Sequence, residues 1–70
     1  MKMIAESEKL KPRRFIIKHD EAAGFYLYVF ENNRCIRDHL QDTLELAIEV
    51  AFEDYQVPKD LWKIVEDANQ

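Results

Sequence analysis

The segment Phe25-Tyr26-Leu27-Tyr28-Val29-Phe30 sets six aromatic, β-branched or aliphatic side chains in an unbroken row. Such a run suits a pleated, largely covered surface and predicts a central β-strand. Asn32-Asn33 follows where a two-residue hairpin turn needs positive φ at both positions, which Asn tolerates, so Arg34 to Leu40 is expected to return alongside. Upstream, Arg13 to His19 is rich in β-formers and runs into Asp20-Glu21-Ala22-Ala23-Gly24, a loop whose glycine can supply positive φ. The three segments make an antiparallel meander.

The pattern then changes period. Asp42-Thr43-Leu44-Glu45 has the form of a capping box. Leu44, Ala47, Ile48, Ala51, Phe52 and Tyr55 follow at spacings that share one face of a helix. Val57-Pro58 ends that helix, because the residue before proline is driven from the α region. Pro58 is then read as opening a second, shorter helix from Lys59 to about Asp67, with Leu61, Trp62, Ile64 and Val65 as its apolar residues. Residues 1–11 show no clear period and are read as a mobile arm, leaving 12–70 as a single small domain. The expected fold is α+β, in the order β-β-β-α-α, with the main helix packed on one face of a three-stranded sheet.

Composition narrows the function classes. Leu, Ile, Val and Phe supply 20 of 70 residues, about 29%, above the roughly 20% below which a charged chain stays disordered. One glycine excludes the phosphate-cradling and dinucleotide loops, which need several. A single cysteine excludes an internal disulfide and argues against a secreted, stapled scaffold. With no apolar run of signal-peptide or membrane-spanning length, the expected setting is cytoplasmic and away from membranes.

Register arithmetic sorts the side chains into two sheet faces. If the first loop is the five residues from Asp20 to Gly24, Phe15 lies beside Val29 and Ile17 beside Leu27, with Arg14, Ile16 and Lys18 beside Phe30, Tyr28 and Tyr26; a four- or six-residue loop flips strand one and removes the basic half of that face. A turn at Asn32-Asn33 pairs Phe30 with Cys35, Tyr28 with Arg37 and Tyr26 with His39. The helix is expected to cover Phe15, Ile17, Phe25, Leu27, Val29, Ile36 and Leu40, since burying unpaired cations costs several kcal/mol. The other face, Arg14, Ile16, Lys18, Tyr26, Tyr28, Phe30, Cys35, Arg37 and His39, is then aromatic in the middle and basic at its edges. One reading is a plain sheet face covered by the arm or by Trp62. A second is a homodimer or partner interface, for which aromatic residues and arginine are the enriched types. A third is single-stranded RNA stacked on Tyr26, Tyr28 and Phe30, opposed by the net charge of −4.

The outer surface of the helix carries Asp42, Glu45, Glu49 and Glu53. It is either a solvated face or a ridge for a basic partner. Catalytic groups are scarce. Ser7, Thr43 and Cys35 are the available nucleophiles, and none has a base at hand. Cys35 and His39 share a face in this register but lie about 13 Å apart, too far to share a proton or a metal. No enzyme activity, cofactor or metal is expected.

The segment Gly24 to Phe30, then Cys35, then Asp42-Thr43-Leu44-Glu45-Leu46-Ala47, resembles the HicB-type antitoxin domain over about half of the chain. Glu31-Asn32-Asn33-Arg34 stands where that family carries an Asp/Pro/Leu/Pro/Gly stretch. The resemblance implies a β-β-β-α order and an antitoxin-like or immunity-like neutraliser of a basic toxin. The Tyr26 to Phe30 strand, with Val57-Pro58 ahead of Trp62, also resembles short bacterial proteins without an assigned activity. The expected function is a protein-interaction module, self-associating or binding a protein partner.

Overall fold

The computed structural model describes residues 1–65. Its strands are β1 (Lys2–Ala5), β2 (Arg13–Asp20), β3 (Gly24–Glu31), β4 (Arg34–Gln41) and β5 (Lys63–Val65), with a 3-10 turn at Glu8–Leu10 and a helix, α1 (Leu44–Tyr55). All neighbouring strands are antiparallel, in the order β4-β3-β2-β1-β5. The α+β class therefore holds, but the described residues form five strands and one α-helix in place of three strands and two helices.

Two additions to the sheet make the difference. Lys2–Ala5, expected in a mobile arm, pairs with Lys18 to Phe15 as β1. So short a segment gives little periodic signal, yet β2 offers it a free edge whose N–H and C=O groups need partners. The expected second helix is replaced by a turn at Pro58, closed by the Leu61 N–H donating to the Pro58 carbonyl at 3.1 Å, followed by β5. A helix of little more than two turns is marginal by itself, whereas β1 presents a second open edge to pair with. The end of that expected helix, at Asp67, lies outside the described residues.

The β2–β3 register is as expected, Phe15 opposite Val29 and Ile17 opposite Leu27. Its loop is tighter, since Asp20 pairs with Gly24 and the Asp20 carboxylate accepts from the Ala22 and Ala23 N–H groups. Asn32 and Asn33 take φ of 53° and 68°, the positive values a type I′ turn requires. Phe30 then pairs with Cys35, but Val29 pairs with Arg37, so Ile36 has no opposite number. This β-bulge turns every later residue of β4 to the other face.

Helix α1 begins one residue later than a capping box on Asp42 requires: Thr43 is the N-cap, its hydroxyl accepting from the Leu46 N–H at 3.1 Å. At its other end Gln56 is left-handed, and the Val57 N–H donates to the Ala51 carbonyl at 3.1 Å. That closure swings Val57 into the core. The helix touches β2, β3 and β4. Its Ala47 and Ala51 close a core with Ala5, Phe15, Ile17, Leu27, Val29, Val57 and Trp62. Phe52, Ile36 and Leu40, all expected in the core, are exposed.

Candidate interaction surface on the open sheet face

The face of the sheet turned away from α1 follows from the registers. β3 contributes Tyr26, Tyr28 and Phe30; β2 contributes Lys18, Ile16 and Arg14 directly opposite them. β1 adds Lys2 and Ile4 beside Lys18 and Ile16, and β5 adds Val65 and Lys63 beside those. An aromatic strand thus lies against a strand of alternating cation, aliphatic and cation.

The bulge rewrites the β4 contribution. Arg37 and His39, expected on this face, sit opposite Val29 and Leu27 on the helix side, and Asp38 and Leu40 take their places beside Tyr28 and Tyr26. His39 meets a partner there, its Nε2 lying 2.8 Å from the Tyr55 hydroxyl. The swap leaves Leu40 in water and satisfies a part-buried imidazole, and the edge strand can take an extra residue because only one of its sides is paired. Cys35 stays on the open face and His39 leaves it, so the two groups are on opposite sides of the sheet.

Within the face, Tyr26 and Tyr28 stack with ring centroids 5.7 Å apart, and the Arg14 guanidinium lies over the Phe30 ring at 4.9 Å. Ile16, between Tyr28 and Ile4 in the sheet, is already buried. It forms the floor of an open hollow of about 370 Å³ lined by Lys2, Ile16, Lys18, Tyr28, Phe30 and Cys35. Burial, then the neighbouring Tyr26, Asp38, Cys35 and Asp20, pushes the Tyr28 phenol above its ordinary range. The arm and Trp62, the expected covers, do not serve: β1 extends the sheet edgewise and Trp62 packs in the helix-side core.

A larger depression of about 550 Å³ lies between the 3-10 turn and the Asn32-Asn33 turn. Its cations are already engaged, Lys11 with Glu8 at 2.9 Å, Arg13 with Glu31 at 3.1 Å and Arg14 over Phe30. Glu6 and Glu8 on its wall set acidic groups against these cations.

The acidic residues of α1 are exposed or half-buried, but they do not form a clean ridge. Asp42 precedes the N-cap, and Leu46 and Phe52 share the outer surface with Glu45, Glu49 and Glu53. Lys59 donates to Glu49 at 2.9 Å and sits 5.0 Å from the Phe52 ring centre. The hydrogen bond from Lys59 holds Glu49 below the usual carboxylate range, while hydrogen bonding to and repulsion by Glu49 push Glu53 up. No described helix is long and apolar enough to cross a membrane, and no described group of three or more His, Cys, Asp or Glu is placed to hold a metal ion. Comparison with family models, curated proteins and solved structures gave no match.

Proposed function

We propose that the chain is a non-enzymatic protein-interaction module whose binding surface is the open sheet face. The observation that carries this reading is the aromatic stripe Tyr26, Tyr28 and Phe30, half-buried among its neighbours in the sheet and outside the core that packs under α1. Aromatic side chains bury large area at small entropic cost, and an uncovered cluster of them rimmed by charge is the composition of an interface core. The dispersal of the chemistry-bearing groups supports the non-enzymatic part, since Cys35 and His39 stand on opposite faces and His39 is engaged by Tyr55.

Two observations rank this surface above the others. Lys59 neutralises the middle of the acidic helix, which weakens the case for a neutraliser of a basic toxin acting through Glu45, Glu49 and Glu53. The exchange of Arg37 and His39 for Asp38 and Leu40 sets a carboxylate beside Tyr28, and although Lys2 and Lys63 add cations at the far edge, that carboxylate and the net charge of −4 weigh against single-stranded RNA.

A photo-crosslinking side chain in place of Tyr28, compared in cells with the same group in place of Glu45, tests the reading. Adducts from position 28 with few from position 45 are expected. Adducts from position 45 alone, or none from position 28, overturn it.

A further inference from the structure

Resting on that reading, we infer that the occupant of the open sheet face is a second copy of this chain, docked face to face about a two-fold axis that runs parallel to the strands between β2 and β3. The face is self-complementary under that operation and no other partner is needed to satisfy it. Turning the sheet over about such an axis lays β3 of one copy on β2 of the other, and β4 on β1. Tyr26 then meets Lys18, Phe30 meets Arg14, and Tyr28 comes over Ile16, the floor of the hollow. Each aromatic ring receives a cation or an aliphatic side chain, and the cation strands never face each other. At the rim, Asp38 comes over β1 of the other copy at Ile4, which Lys2 and Lys63 flank. The Asp38 carboxylate therefore lands among cations of the other copy, twice in the dimer.

The size of the surface sets the strength. Three strands of eight residues and the four-residue β1, about 4.8 Å apart at about 3.3 Å per residue, present roughly 450 Å² per copy, or about 900 Å² in total. That is the size of a weak, reversible interface, so dissociation in the micromolar range or weaker is expected.

Sedimentation velocity over about 1 μM to 1 mM tests the dimer, with two variants that carry opposite charge changes, Asp38→Lys and the double change Lys2→Glu with Lys63→Glu. Circular dichroism of each confirms folding. Wild type is expected to pass from monomer to dimer, and each variant alone to dissociate about tenfold more readily or worse. An equimolar mixture of the two is expected to dimerise again, because the two-fold axis sets the new cation at position 38 of one variant among the new carboxylates at positions 2 and 63 of the other. A mixture that associates no better than its components overturns the geometry. Wild type that stays monomeric to about 1 mM overturns the dimer outright. In that case crosslinks from position 28 to a foreign protein in cells leave the interaction reading standing, while their absence ends both.

Discussion

Gly24→Ala is expected to be the most damaging single-methyl change in the molecule. Gly24 closes the β2–β3 hairpin opposite Asp20 with φ of +130°, a conformation that L side chains rarely adopt. A Cβ there would stand 2.4 Å from the Gln41 carbonyl oxygen and 3.6 Å from the Asp42 Cα, both backbone atoms at the entry to α1. Neither is the flexible end of a side chain, so relief requires moving β4 or the hairpin. Strain at such a backbone position is worth about 1–3 kcal/mol, and overpacking against fixed atoms costs a similar amount, for a total of about 2–6 kcal/mol. A chain of this length has roughly 3.5–10 kcal/mol of stability to lose. Urea unfolding at 25 °C, followed by far-ultraviolet circular dichroism, measures the difference. Ala23→Gly, in the same loop, is the control and is expected to cost about 1 kcal/mol or less. A Gly24→Ala loss below about 1 kcal/mol would refute the close approach of β3 to the start of α1.

Other outcomes follow from the same geometry. Leu27→Ala, at a fully buried position, is expected to cost about 3 kcal/mol, and Tyr28→Ser on the open face about 1 kcal/mol, in parallel thermal melts. Equal losses would contradict the division of β3 into a core side and a free side. Deleting Ile36 removes the unpaired residue while keeping every other β3–β4 pair, so stability is expected to change by no more than about 1 kcal/mol and the His39–Tyr55 contact to survive in nuclear Overhauser spectra. In a phenolate absorbance titration Tyr28 is expected to ionise above an ordinary tyrosine. Because its folded value is raised, the associated stability is intact below the unfolded midpoint and is lost as pH climbs through the folded one. Lys59→Met is expected to raise the Glu49 midpoint in carboxyl carbon NMR, and an unmoved midpoint would remove Lys59 as the cause.

Much of the candidate surface was legible before the structure, because one hairpin fixes most of it. The unbroken Phe25 to Phe30 run and the Arg13 to His19 run could be aligned through the loop between them, and the expected pairs Arg14–Phe30, Ile16–Tyr28 and Lys18–Tyr26 are those observed. Arg37 and His39 were misplaced because a bulge leaves no mark in residue type. Ile36 looks like any strand residue, and only the match between His39 and Tyr55, distant in the chain, reveals the shift. Strand β1 was hidden by its brevity and by Lys2 at its start. Strand β5 was hidden because Leu61, Trp62, Ile64 and Val65 satisfy a helical spacing as readily as they satisfy the end of an extended segment. What decided both was the presence of an open sheet edge, a tertiary fact that no local window contains.

The aromatic strand face is expected to be an occupied surface when the protein is at work. Hydroxyl-radical footprinting of Tyr26, Tyr28 and Phe30, in the dilute isolated chain and in cells, tests it most directly, with exposed Phe52 on α1 as the internal reference. Strong oxidation of the three strand residues is predicted in the dilute chain and protection in cells, while Phe52 stays reactive in both. Equal oxidation of the strand residues in both settings, or protection confined to Phe52, would contradict it.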